Sequence, residues 1–140
     1  MLKKILFFCF FILSLFAQDT AIVKDLYGKV QVKRKNNIIT VNKGFILQEG
    51  DIVITQDSSG IGIIFEDGSL ISLGEKSLFV IKKYVFKPED KKFDIRMNLK
   101  KGKAAFSSGK IGKLSPKSLK FEIPEGIVGI RGTKFLVSVE

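Results

Sequence analysis

The chain has 140 residues, a formal net charge of +10, no histidine, no tryptophan and a single cysteine. The missing imidazole removes the commonest general base near neutral pH and the commonest metal ligand. The lone thiol, Cys9, lies in an N-terminal apolar run, so a disulfide framework, a thiolate metal site and a cysteine nucleophile are excluded from the rest of the chain.

Met1-Leu2-Lys3-Lys4 leads into an apolar stretch from Ile5 to Phe16, closed by Ala17 before the polar Gln18-Asp19-Thr20. A basic start, a short apolar run and a small boundary residue predict a Sec signal peptide over residues 1–17 with cleavage after Ala17. The run is too short for a permanent anchor, since a spanning helix needs about 20 apolar residues. Cys9 sits inside the run rather than at its end, so a lipoprotein anchor is not read from it. The expected product is a periplasmic or secreted domain, residues 18–140, with a formal charge of +8.

After the signal, short alternating apolar runs recur between Gly, Asn, Asp and Pro, the pattern of an all-β domain. In chain order the inward pairs are read as Val30/Val32, Ile39/Val41, Ile52/Ile54 and Ile61/Ile63/Phe65, with Asn36-Asn37 as the hairpin turn after a strand ending at Lys35. Asp57-Ser58-Ser59-Gly60, Asp67-Gly68-Ser69 and Pro88-Glu89-Asp90 read as reversals. Phe93, Ile95, Met97 and Leu99 alternate with Asp94, Arg96, Asn98 and Lys100, which predicts a half-buried antiparallel strand. Ser107 to Ser118, rich in Ser, Gly and Lys and holding Pro116, reads as a mobile surface loop. Leu119/Phe121/Ile123 and Phe135/Val137/Val139 complete the set, and no window after the signal sustains a helical period. One antiparallel domain follows, a twisted β-roll, a sandwich or a short solenoid, with no cofactor expected.

Three ordered pieces resemble the FecR domain family. The first runs from Leu47-Gln48-Glu49-Gly50-Asp51 through Phe65-Glu66-Asp67-Gly68-Ser69 to Ser77-Leu78. The second is Leu99-Lys100-Lys101-Gly102-Lys103-Ala104-Ala105-Phe106. The third is Phe121-Glu122-Ile123-Pro124 followed by Gly129-Ile130-Arg131-Gly132-Thr133-Lys134-Phe135, similar to the family's Arg-Gly-Thr-x-Phe-x-Val ending. The resemblance spans residues 27–140 and implies a FecR-like β domain without catalytic activity. Physically, Gly50-Asp51, Asp67-Gly68-Ser69 and Gly102 read first as turns. Phe106 and Phe135 read as core aromatics. Arg131, between Gly129 and Gly132-Thr133, reads as a corner pin bonded to carbonyls or to Glu122 or Glu125, because an unpaired charge between core strands is costly.

Regulatory members of the resembled family carry a σ-factor-holding domain and a membrane helix ahead of the periplasmic part. This chain opens on a signal peptide, so the domain is expected and that pathway is not. It stops at Val139-Glu140, just after a strand, where family domains continue into a further hairpin. Read as an edge, residues 135–140 offer unpaired backbone groups to an envelope protein or a second copy by strand addition.

Other chemistry is set aside. Ser107-Ser108-Gly109-Lys110 has the serine-to-lysine spacing of penicillin-recognising enzymes without their other motifs. Gly74-Glu75-Lys76-Ser77 lacks the upstream glycine of a phosphate loop. No calcium-loop spacing occurs. Charge is uneven: residues 82–120 hold thirteen cations against three acids, and the flanking segments hold slightly more acids than cations. Lys82, Lys83, Lys87, Lys91, Lys92, Arg96, Lys100, Lys101, Lys103, Lys110, Lys113, Lys117 and Lys120 are expected along one side of the domain. They form either a solvated face or a surface for anionic envelope glycolipid or phospholipid. Export excludes nucleic acid. The reading is therefore a non-catalytic interaction or scaffold module of the envelope, with polyanion binding as the alternative.

Overall fold

A computed structural model describes residues 20–129 and 134–140. The predicted signal peptide and the triplet Arg131-Gly132-Thr133 lie outside the described residues. The strands are β1 (Ala21–Tyr27), β2 (Val30–Arg34), β3 (Asn37–Thr40), β4 (Ile46–Leu47), β5 (Ile52–Thr55), β6 (Gly60–Phe65), β7 (Leu70–Leu73), β8 (Leu78–Lys87), β9 (Lys92–Ser107), β10 (Leu119–Ile123), β11 (Gly126–Val128) and β12 (Lys134–Val139). They form one curled, half-barrel sheet, and the protein is all-β.

The 16-residue β9 is the spine of this sheet. Its first half pairs with β8 and β10, its second half with β7 and β12, and the exchange falls around Gly102. Beyond β8 the sheet continues through β5, β2 and β3, and beyond β7 through β6, β1 and β4. Each half turns alternate side chains inward, as the two-residue period of a strand requires. Ile95, Met97 and Leu99 on β9 meet Val23, Ile63 and Ile71 in a single core. Within it the buried Phe106 and Phe121 meet at 6.1 Å between ring centroids, and the half-buried Phe135 packs against both at 5.1 Å, stacked on Phe106 and edge-on to Phe121. Fully burying a ring such as Phe106 or Phe121 contributes about 1.5–3 kcal/mol.

Four local expectations are corrected. On β5 the buried residues are Val53 and Thr55, whereas Ile52 and Ile54 are only half-buried. The preceding Asp51 is buried against Arg34 and sets this phase. The β2–β3 turn is Lys35-Asn36, one residue earlier than read, with Lys35 at φ 56° and Asn37 already paired with Arg34. Arg34 is held in strand register by its bonds to Asp51. Residues 107–118 are not a free loop. They contain a helical turn α1 (Ile111–Leu114) and a 3-10 turn at Pro116–Ser118, and Ile111 is fully buried. This crossover delivers β10 parallel to β9, a departure from a purely antiparallel sheet.

Candidate functional site

The Asp67-Gly68-Ser69 turn between β6 and β7 is a buried clamp. Gly68 supplies φ 86°, and Asp67 and Ser69 are each 1% exposed. Asp67 Oδ1 accepts from the Ser69 amide at 3.1 Å and from the Tyr84 hydroxyl at 3.0 Å. Its Oδ2 accepts from Ser69 Oγ at 2.7 Å and from the Ile111 amide at 3.1 Å. The Gly109 amide donates to Ser69 Oγ at 2.9 Å and the Lys110 amide to the Asp67 carbonyl at 2.8 Å. One carboxylate thus ties the turn to β8 and to the crossover before β10. Burial, reinforced by the charge of Asp67, raises the Tyr84 phenol above its ordinary value, so it remains a protonated donor. With every partner internal, this cluster is a fastening, not a reaction centre.

A second fastening joins Asp51 to Arg34. Arg34 Nε donates to Oδ1 at 2.9 Å and Nη2 to Oδ2 at 2.8 Å, while the Gln48 amide adds 2.8 Å to Oδ2. Arg34 also lies over the Phe45 ring at 5.3 Å. The Asp51 hydrogen bond raises the guanidinium's affinity for its proton. Gly50, at φ 92°, donates to the Ile81 carbonyl at 2.7 Å, and Glu49 Oε2 accepts from the Tyr84 amide at 3.0 Å. This second bond covers an amide near the bulge where the β8 register shifts between Ile81 and Lys83.

Gly102 has φ 100°, and a Cβ there would run into Ser77. Ser77 Oγ donates to the Gly74 carbonyl at 2.9 Å and accepts from the Lys103 amide at 3.2 Å, beside Thr55 Oγ1 bonded to the same carbonyl at 2.6 Å. Gly102 therefore marks the place where β9 changes neighbours against a packed hydroxyl pair.

The basic residues do not gather on one wall. Lys83, Arg96 and Lys120 form a cross-strand row on the outside of β8, β9 and β10. Asp94 faces Lys83 and Arg96 at 3.7 and 3.1 Å, and Glu122 holds Lys82 at 2.8 Å. Lys87, Lys91 and Lys92 lie at the far end of the β8–β9 hairpin with Glu89 and Asp90. Lys100 and Lys101 precede the Gly102 bend, Lys103 follows it on the outside of the other half-sheet, and Lys110, Lys113 and Lys117 belong to the crossover. The thirteen cations are spread over several surfaces because β9 bends midway through them.

β12 is the longest of the strands that are paired on one side alone among the described residues. It pairs antiparallel with β9 from Lys134↔Ser107 to Val139↔Gly102 and has no partner on its other edge among the described residues. Phe135, Val137 and Val139 turn toward the core, and Leu136 points outward with 84% of its surface exposed. Among the described residues no group of three or more His, Cys, Asp or Glu side chains could hold a metal ion, and no helix is long and apolar enough to cross a membrane.

Arg34, Glu49 and Tyr84 were not singled out from the sequence. For Arg34 a signal existed: the chain holds three arginines against twenty-one lysines, and a guanidinium among lysines points to bidentate geometry. Glu49 and Tyr84 gave none, because their partners are distant in sequence. The family model described as FecR protein matches residues 51–140, a narrower span than the 27–140 of the motif resemblance. The family is a regulatory one associated with the cell envelope. No curated protein and no solved structure matches the chain.

Proposed function

The chain belongs to the FecR protein family, and from that premise we propose that it is an exported, non-catalytic module that recognises an envelope protein through the free edge of β12. The single observation that carries this reading is that edge: a six-residue strand, paired on one side, with Leu136 displayed beside it. An incoming strand would gain main-chain hydrogen bonds from β12, and Leu136 would supply an apolar contact on the outer face. The charged ends Lys134 and Glu140 discourage indiscriminate sheet growth. Export follows from the N-terminal composition, with processing between Ala17 and Gln18.

Two measurements test it. The intact mass of the protein recovered from the cell envelope should begin at Gln18, and unprocessed chain in the cytosol would remove the premise of export. A photo-crosslinking residue placed at Leu136 or Ser138 should yield one discrete protein adduct in cells, absent when the same group replaces Ile38 on the opposite sheet edge. No adduct at either β12 position, or slow amide exchange along the free edge in a dilute monomer, would sink the strand-addition reading.

A further inference from the structure

On the outer face of the half-sheet formed by β1, β6, β7, β9 and β12, a stretch of the middle strands carries almost no side chains. Beyond the Ile64–Leu70 pair, the outward positions are Gly60 and Gly62 on β6, Ser72 on β7, followed by Gly74, and Ala105 on β9. The result is a trough of about 710 Å³ running across five strands, floored by backbone. β6, β7 and this half of β9 have partners on both sides, so the floor has no free ladder groups and cannot take up a strand. Its occupant must be held by side chains.

The rim supplies them. Tyr27, 64% exposed, lies over Gly60, where a Cβ would sit 2.6 Å from the ring. The glycine thus lets an aromatic ring rest against the strand with much of its surface open, the relation by which an aromatic side chain shields a strand glycine. Asp25 lies across Gly62 in the same way. Lys103, Ser72 and Ser138 complete the polar rim, and Leu136 closes the β12 end. Among the described residues Asp25 and Lys103 make no ion pair, and neither they nor the hydroxyls of Tyr27, Ser72 and Ser138 make a side-chain hydrogen bond. The contrast with Asp51 and Asp67, whose carboxylates are fully engaged, is sharp.

From this arrangement we infer that the trough is a binding site for a neutral oligosaccharide. A sugar ring presents an apolar face of C–H groups, which an open aromatic ring accepts, and a girdle of hydroxyls, which a carboxylate, an ammonium and three hydroxyls satisfy. The single cation is balanced by a single anion, so a polyanion gains no net attraction. The polar rim would be desolvated without compensation by a lipid chain, and a peptide laid on the floor finds no ladder to join there, the free edge of β12 lying at the border of the trough. A volume of this size lies within the usual range for small-ligand sites and has room for more than one sugar ring.

The test is a calorimetric and NMR titration of the purified chain with three probes: the β-1,4-linked N-acetylglucosamine tetramer, cellotetraose and maltotetraose. At least one should bind saturably, moving the amides of Gly60, Gly62, Gly74 and Ala105. Tyr27→Ala should weaken that binding by at least about tenfold, as expected of a central aromatic contact. Ser72→Leu, which fills the trough and leaves the ring in place, should do the same. Ser72 is exposed, so its variant should melt with the parent, whereas Tyr27→Ala uncovers Gly60 and should melt somewhat lower while remaining folded. Should either fail to fold, Asp25→Asn takes its place, with a several-fold loss expected. Absence of saturable binding by all three probes, shifts confined to other surfaces, or affinity indifferent to these substitutions would overturn the site. Leu136 and Ser138 border both features, but a protein adduct reports the β12 edge and saccharide-induced shifts of the floor amides report the trough, so the failures of the two are distinguishable.

Discussion

Asp67 receives four hydrogen bonds on two carboxylate oxygens, and no neutral isostere can reproduce that pattern. In Asp67→Asn the amide nitrogen would face donors whichever way it turned, and two of them, the Ser69 and Ile111 amides, cannot reorient. We expect a loss of about 2–4 kcal/mol, read as a lower urea midpoint with an unchanged slope. Tyr84 adds a pH signature to the same cluster. A tyrosine in an unfolded chain titrates near 10, and burial followed by the charge of Asp67 holds the folded phenol above that. The folded state therefore keeps a proton that the unfolded state gives up. The resulting stability is complete below about pH 10 and falls as the pH rises beyond it. Thermal melts of the parent and of Tyr84→Phe should differ by a constant amount up to that pH and converge above it. A gap that stays constant to more alkaline pH would show that the phenol contributes no proton linkage.

At the scale of elements, the bend of β9 rests on Gly102. Gly102→Ala would force a side chain into φ 100° and against Ser77, at a cost of at least about 2 kcal/mol. Ser77→Ala in the same chain would remove only the Oγ contact, because Cα and Cβ of residue 77 would still stand 2.5 and 2.6 Å from the new Cβ, so the denaturant midpoint of the double variant should stay well below that of the parent. The crossover gives a second prediction: the amides of Gly109, Lys110 and Ile111, bonded to Ser69 and Asp67, should exchange more slowly than those of the β2–β3 turn. Equal rates would mean that the clamp opens freely. These two elements also mark how far the sequence can be read. Strands such as β9 were legible because apolar and polar residues alternate along them. The phase of β5 was not, since Ile52, Val53 and Ile54 are alike apolar and β-branched and the one polar residue, Thr55, is buried with its hydroxyl on the Gly74 carbonyl. The crossover looked like a loose loop because its anchors are main-chain amides meeting a carboxylate some forty residues away, a contact that leaves no local trace. The motif glycines 50, 68 and 102 were legible as turns, whereas the trough came from glycines and small residues on three strands that only the register brings side by side.

For the molecule as a whole, charge and exposed backbone lie on different surfaces, and this separation decides how the two readings of function can be told apart. Strand addition at β12 depends on backbone groups and on Leu136, so it should tolerate salt. Attraction of anionic glycolipid or phospholipid would depend on the Lys83–Arg96–Lys120 row, part of whose field is cancelled by Asp94. Counterion release by about three contacts predicts that affinity falls by one to two orders of magnitude between low and moderate salt. On immobilised heparin we therefore expect weak retention at low ionic strength that vanishes at physiological ionic strength, and Lys83→Glu combined with Lys120→Glu should abolish it. The same double substitution should leave the Leu136 crosslink untouched, because β10 and the first half of β9 lie across the Gly102 bend from β12. Retention that survives physiological salt would make the polyanion the principal ligand, and loss of the crosslink in the double variant would join the two surfaces into a single site.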